Sequence, residues 1–292
     1  MHPRNRFHSG YDFPRLITKS PALAGFVAVN RHGTTTVDFA DPDAVLALNQ
    51  ALLADAYGLQ WSLPTGALCP PIPGRSDYLH HLADLLSGRD EQAIPRGPIV
   101  KILDIGTGAN CILPLIGASE YGWQFVATEI DKTALRWARQ IVRVNRSIAT
   151  RIECRWQPNP TSCFANIIAP GEVFAASMCN PPFHASAEEA EEGSRRKRRN
   201  LGLSHAAPAL NFGGRAGELW CDGGEVGFIQ RMIAESAARP RRCRWFTTIV
   251  SKSEHLPQLT RRLRASRVAD LQVIDMAQGQ KKSRILAWTF TT

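Results

Sequence analysis

The stretch Ile99-Val100-Lys101-Ile102-Leu103-Asp104-Ile105-Gly106-Thr107-Gly108-Ala109-Asn110 decides how the rest of the chain is read. Ile99 to Leu103 is a short, apolar, β-branched run of the kind found in buried parallel strands. An Asp-x-Gly-x-Gly turn follows it, and Ile112 to Gly117 then reads as a short helix containing Pro114. Glycines at 106 and 108 let the backbone bend sharply and approach a ligand, and a helix start offers free N–H groups. Taken alone, the turn is equally a plain tight strand-to-helix connection.

The alternation continues on the C-terminal side. Phe125 to Thr128 is a second strand, and Asp131 caps a helix with Ala134, Leu135, Ala138, Ile141 and Val142 at helical spacing. Arg151 to Trp156 and Val173 to Cys179 read as strands three and four. Glu225 to Ala238 is a helix, Trp245 to Val250 a strand and Leu259 to Leu263 a helix. Leu271 to Met276 and Ile285 to Phe290 flank Gln278-Gly279 as an antiparallel hairpin. This order predicts an α/β fold: a doubly wound, Rossmann-like sheet ending in an antiparallel pair.

On the N-terminal side the character changes. Asp41-Pro42-Asp43 opens a helix, Leu63 to Gly74 is dense in breakers and reads as loop, and Ser76 or Asp77 caps a second helix. Ser87 to Pro98 is the linker expected between a mostly helical extension, 1–95, and a domain, 96–292, carrying an insertion at about 184–222.

Of the 292 residues, 44% are hydrophobic and 21% charged, which suits a globular core and excludes wholesale disorder. The net charge is +9, from 28 Arg and 7 Lys against 26 acids. That balance favours a polyanionic partner; the Arg bias suits phosphate recognition or reflects nucleotide composition. No run of ~18 apolar residues predicts a membrane span, and Met1 to His8 has no apolar segment behind its charges, so a cytoplasmic protein is expected. The seven cysteines are odd in number, scattered and never C-x-x-C, which points to reduced thiols and no metal.

Three features carry chemistry. Cys111 stands where a dinucleotide fingerprint needs its third glycine, which argues against NAD. An acid just before the glycines, Asp104, suits a ligand with an amino group such as S-adenosylmethionine. Glu129 ends the second strand, where a carboxylate accepts both ribose hydroxyls, or else serves as a helix-capping acid beside Asp131. Asn180-Pro181-Pro182-Phe183 directly follows the fourth strand. Two prolines forbid further sheet and stiffen the turn. The turn then presents the Asn180 amide and a proline carbonyl as two acceptors for a planar amino group, with Phe183 to stack on its ring.

Basic residues cluster elsewhere. Arg136, Arg139, Arg143 and Arg146 share one helix face, and Arg231 to Arg267 holds ten basic and two acidic residues. Both also read as ordinary solvated surface. The insertion joins Glu188-Glu189-Ala190-Glu191-Glu192 to Arg195-Arg196-Lys197-Arg198-Arg199. It is either a self-paired helix or an arm whose cations neutralise RNA phosphates. His184 is assigned no role.

In order and spacing these motifs resemble the class I methyltransferases that act on amino groups. More narrowly the chain is similar to bacterial 23S rRNA adenine-N6 methyltransferases and to their eukaryotic relatives acting on spliceosomal RNA. The similarity runs through His2-Pro3-Arg4-Asn5-Arg6, Tyr11 to Pro14, Leu68 to Arg75 with Asp77-Tyr78, and Asp104 to Ala109. It continues through Ala127 to Glu129, Cys179 to Phe183, Asn211 to Gly214, Glu218 to Cys221, Gly223 to Glu225, and Gln278 to Arg284. It implies transfer of a methyl from S-adenosylmethionine to an adenosine N6 of large-subunit rRNA, free or in an assembly intermediate, with no membrane partner. By the same resemblance Arg75 reaches the cofactor carboxylate, Gly106, Thr107, Gly108 and Asn110 cradle its methionine end, Glu129 holds its ribose, and Thr161 is a further contact. The eukaryotic relatives carry a hydroxyl residue in place of Asn110. Asn180, Pro181, Pro182 and Phe183 are the expected catalytic residues. Arg4, Arg6, Arg195, Arg196, Lys197, Arg198, Arg199, Lys281 and Lys282 are the expected RNA contacts. The same chemistry serves glutamine side chains of release factors and adenine in DNA, and a non-catalytic RNA-binding assembly factor is the remaining alternative.

Overall fold

A computed structural model describes residues 1–88, 90, 93–186, 188–189, 220–278 and 281–291, without the side chains of Gln278 and Lys281. Seven strands form the central sheet: β3 (Lys101–Ile105), β4 (Gln124–Glu129), β5 (Ile152–Trp156), β6 (Phe174–Cys179), β7 (Cys243–Val250), β8 (Asp270–Gln278) and β9 (Lys281–Thr289). Their order is β5-β4-β3-β6-β7-β9-β8. The first five are parallel, while β9 runs antiparallel to β7 and β8 to β9. Helices α4 (Ile112–Tyr121), α5 (Lys132–Val144), α6 (Gly224–Ala238) and α7 (Leu256–Ala265) connect the strands. The chain therefore changes direction across the sheet between β3 and β6, the place where open α/β sheets bind ligands at their carboxyl edge.

Three boundaries differ from expectation. β3 starts at Lys101 and takes in Asp104 and Ile105; Ile99 is 91% exposed and lies before it. Asp104 is thus a residue of the strand and 1% exposed. The third shift is at α3 (Ile72–Ser87), which starts at Ile72, so Ser76 and Asp77 are buried inside it instead of capping it. Pro73 sits in the first turn, where its missing N–H costs nothing. The supposed loop residues Ile72, Pro73 and Gly74 are therefore helical.

The N-terminal segment adds α1 (Phe13–Lys19), α2 (Pro42–Tyr57) and a two-stranded sheet, β1 (Val27–Val29) with β2 (Thr35–Val37). Residues on both sides of position 95 share one core: Phe7, Leu52, Leu79 and Leu82 belong to the same buried cluster as Ile102, Ile116 and Phe125. A second cluster on the other sheet face joins Leu103 and Phe246 to Ile229, Ile233, Leu259 and Leu263.

Arg4 and Arg6, expected to meet RNA, are bonded within the protein. Arg4 pairs with Asp84 and donates to the His80 carbonyl at 3.0 Å. Arg6 donates to Glu120 at 2.8 Å and to the Ala56 carbonyl at 2.9 Å. Asn5 Nδ2 donates to Asp77 Oδ1 at 2.7 Å, and the His2 N–H to the same oxygen at 2.8 Å.

Packing is tight where α4 meets β4. A Cβ added at Gly117 stands 2.3 Å from Phe125 Cζ, and Phe125 is 1% exposed. Ala favours a helix interior over Gly by about 1 kcal/mol, but overpacking costs about 1–3 kcal/mol. Gly117→Ala is expected to lower the urea midpoint; a midpoint at or above wild type would show that the ring yields.

Candidate active site

The carboxyl edge of β3 opens into a cleft whose lining includes Arg75 on α3, the turn Asp104 to Gly108 with Asn110, Glu129 ending β4, and Asn180 with Pro182 after β6. Gly106 and Gly108 have φ of +71° and +63°, and a Cβ at Gly106 meets no protein atom within 4 Å. The backbone there faces open space. The Thr107 N–H donates to the Thr128 carbonyl at 2.8 Å, tying the turn to β4.

Glu129 is 7% exposed, and the surrounding backbone fixes both carboxylate oxygens. Oε2 accepts the Gly108 N–H at 2.9 Å, while Oε1 accepts those of Ile130 and Asp131 at 2.8 and 2.9 Å. The helix cap of α5 is Asp131, whose Oδ1 accepts from Thr133 and Ala134. Glu129 is therefore a wall of the cleft locked to the glycine turn, and the capping alternative falls to its neighbour. Asn110 is also held: its Oδ1 accepts the Ile112 N–H at 3.1 Å, and its carbonyl accepts Trp61 Nε1–H at 2.9 Å.

Electrostatics set Asp104 apart. Burial pushes its carboxyl up to about 7, with Glu129 pushing it further up and the Arg75 cation pulling it down. Burial lowers Arg75 to about 10 while Asp104 raises it, so the guanidinium stays charged at neutral pH. Three buried polar atoms, Asp104 Oδ2, Thr107 Oγ1 and Asn180 Oδ1, are among the six in the described residues that lack a hydrogen-bond partner. Such atoms are rare in folded proteins. Here all three belong to residues lining one cleft. Together with the bare glycine turn they fit a ligand bearing a cationic amine and, at Asn180, an N–H donor.

Not every expected residue joins the cleft. Pro181 is buried and Phe183 half-buried, and neither is part of the lining. Thr161 is exposed; its N–H and hydroxyl both donate to Asn159 Oδ1, at 2.9 and 2.8 Å, so its neighbours Pro160 and Ser162 line the site in its place. Gln157 was missed. It follows β5 as Glu129 ends β4, its N–H donates to the Glu129 carbonyl at 2.9 Å, and it lines the cleft. Its place just past the end of the neighbouring strand was the available signal.

Lys282 is exposed on the terminal hairpin. Arg195, Arg196, Lys197, Arg198 and Arg199 lie outside the described residues, as does the side chain of Lys281. His184 forms a bridge with Trp220. One group among the described residues, His2, His81 and Asp84, brings metal-type donors within 4.8 Å of one another. There Asp84 already holds His2 Nε2 at 2.8 Å and pairs with Arg4. No described helix is long and apolar enough to cross a membrane.

Comparison with known proteins agrees with this geometry. A family model described as RNA methyltransferase matches residues 1–292. The chain is 53% identical over 291 residues to ribosomal RNA large subunit methyltransferase F of Pectobacterium carotovorum, covering 99% of this chain and 93% of that one. It is 51% identical over 294 residues to the protein of the same name from Pseudomonas savastanoi, covering 99% and 89%. Among solved structures, the human METTL16 catalytic domain in complex with a MAT2A 3′UTR hairpin is similar with a TM-score of 0.85. That match is 32% identical and covers 100% of this chain and 96% of that one. The N-terminal domain of human METTL16 in complex with SAH gives a TM-score of 0.79 at 30% identity, covering 100% and 99%.

Proposed function

The chain belongs to this family of RNA methyltransferases, and from that premise we propose that it methylates the exocyclic N6 of an adenosine in 23S rRNA, free or within a large-subunit assembly intermediate. The protein is an enzyme, an S-adenosylmethionine-dependent rRNA methyltransferase. The observation that carries the finer reading is the convergence of Asp104 Oδ2, Thr107 Oγ1 and Asn180 Oδ1, buried and unpartnered, on one cleft. Two of these atoms suit the cofactor and the third an amino-group substrate.

When bound, S-adenosylmethionine supplies an electrophilic methyl on a sulfonium centre. Asp104 offers its carboxylate to the ammonium, Arg75 its guanidinium to the carboxylate, and Glu129 holds the ribose hydroxyls. The bare turn at Gly106 leaves the room that the methionine end needs. A target adenine is unreachable inside a helix, so it enters unpaired or flipped. Asn180 Oδ1 and the Pro181 carbonyl accept its two N–H bonds, which draws the nitrogen lone pair out of conjugation toward the methyl. Phe183 turns to stack on the ring as the base enters. The chain contributes mainly positioning, and the methylated nitrogen, briefly cationic, gives up its proton without a strong base.

RNA affinity is assigned to the basic surface. The extension, 1–95, contributes Arg75 to the cofactor site and helps select the RNA. The protein works in the cytoplasm, beside ribosomal RNA. Replacing Arg195, Arg196, Lys197, Arg198 and Arg199 together by Ala is expected to weaken RNA binding and flatten its salt dependence, by up to about 0.7–0.9 in log–log slope per lost phosphate contact. A salt slope equal to wild type would return that segment to ordinary surface.

Incubation with methyl-labelled S-adenosylmethionine and three acceptors tests the reading: deproteinised rRNA, an AT-rich DNA duplex, and a release factor. Label is expected in the rRNA. Label confined to DNA or protein would overturn the substrate while leaving fold and cofactor standing.

A further inference from the structure

The β6–β7 ladder stops short of the active site. Its register ends at Ser177 opposite Phe246, two residues before Cys179 and three before Asn180. On its other side β6 stays paired to β3 as far as Cys179, opposite Ile105. The last peptide of β6 is thus laddered to β3 on one side, while on the other β7 runs on to Val250 without pairing to it, which leaves a gap in the ladder.

Tyr78 of α3 fills the gap. The Cys179 N–H donates to Tyr78 Oη at 3.2 Å. Tyr78 Oη and Thr247 Oγ1 lie 2.8 Å apart, and the Thr247 hydroxyl donates to the Ser177 carbonyl at 2.8 Å. Thr247 spends its only proton on Ser177, so Tyr78 must donate to Thr247. The order of protons is therefore fixed: Cys179 N–H to Tyr78 O–H to Thr247 O–H to the Ser177 carbonyl. The chain of hydrogen bonds leaves β6 at residue 179, crosses to β7 and returns to β6 at residue 177, clamping the end of the strand. Tyr78 is 0% exposed and Thr247 0%, so water does not compete. Burial also pushes the Tyr78 phenol well above its ordinary range, so the proton stays in place at any working pH.

We propose that Tyr78 is a positioning residue for methyl transfer, holding the end of β6 so that the Asn180 amide meets the acceptor amine. The proposal rests on the reading that Asn180 holds that amine. It gives α3 two roles: Arg75 lines the cleft, and Tyr78, one turn on, holds the strand that leads to Asn180. It also explains why a helix from the N-terminal extension is built into the sheet's core. A tyrosine is needed because the gap requires both an acceptor for an N–H and a donor for a hydroxyl, on a rigid ring long enough to reach from the helix.

The test compares wild type, Tyr78→Phe, Thr247→Val and the double variant by single-turnover rate on rRNA, KM for RNA, Kd for S-adenosylmethionine and thermal melting. Tyr57→Phe is the control, since it deletes a half-buried phenol bonded to α3 (Tyr57 Oη to Ser76 Oγ, 2.8 Å) far from β6 in the hydrogen-bond network. Tyr78→Phe is expected to slow transfer by about 10- to 100-fold, with cofactor Kd and RNA KM retained. The double variant should be no slower than Tyr78→Phe, because both changes cut one chain. Tyr57→Phe should lower Tm and leave the rate alone. A Tyr78→Phe protein that melts earlier but turns over at the wild-type rate would overturn the proposal. If Tyr78→Phe does not fold, Thr247→Val carries the test, and a wild-type rate in it would likewise overturn the proposal. Failure of the underlying reading looks different: Asn180→Ala would then be as active as wild type.

Discussion

Asn180→Ala is expected to reduce methyl transfer by about 10²- to 10³-fold, the scale on which losing one preorganised polar contact slows an enzyme. Cofactor affinity is expected to stay at the wild-type value. The asymmetry follows from position. Asn180 stands beyond the end of β6, in a turn that Pro181 and Pro182 hold stiff, and its Oδ1 is buried without a partner. The part of the cleft proposed for the cofactor is built by other elements, the turn after β3 and the end of β4. Truncating Asn180 thus leaves Asp104, Arg75 and Glu129 untouched. Equal loss of cofactor affinity and rate would move Asn180 to the cofactor half of the site. A near-normal rate would remove it from the chemistry.

The second large effect is on pH. Asp104 has a carboxyl pushed up to about 7 by burial, against an ordinary value of 3.8. Between those values the folded protein without cofactor holds a proton that the unfolded chain has released. Its stability therefore falls as pH rises through that window, and the penalty is complete above about 7. Binding a cationic amine requires the ionised form and draws the proton off. The Kd for S-adenosylmethionine is thus expected to rise about tenfold per pH unit below about pH 7 and to level off above it. Asp104→Asn removes the titrating group. It should bind weakly with no such slope, and it should gain stability over wild type at pH 8 in the absence of cofactor. Calorimetric titration of wild type and variant from pH 5.5 to 8.5 measures both. A slope that survives in Asp104→Asn would assign the proton to another group, the nearby charges being Glu129 and Arg75.

Much of this was legible in the chain. The apolar run before Asp104, the capping Asp131 and the hairpin at the C-terminus placed the sheet and its antiparallel end. The glycine turn, Glu129 and Asn180 were found because a strand end, a helix start and a proline-stiffened turn leave local signatures. What escaped was set by contacts distant in sequence. Pro73 and Gly74 look like breakers, yet both lie in the first turn of α3, where a proline's missing N–H costs nothing. Arg4 and Arg6 read as free cations because their partners, Asp84 and Glu120, lie 80 and 114 residues away. Thr161 read as a contact by resemblance, but its hydroxyl is turned to Asn159. Tyr78 carries no local signal of its use: its partners are 101 and 169 residues distant.

The decisive experiment identifies the atom methylated. Large-subunit rRNA is incubated with the protein and methyl-labelled S-adenosylmethionine, digested to nucleosides and resolved beside standards, with Asn180→Ala run in parallel. Label is expected in N6-methyladenosine from the wild-type reaction, with the initial rate of labelling about 10²- to 10³-fold lower in the variant. Label in any other nucleoside, or equal label from Asn180→Ala, would contradict the assignment of the N6 amine to Asn180.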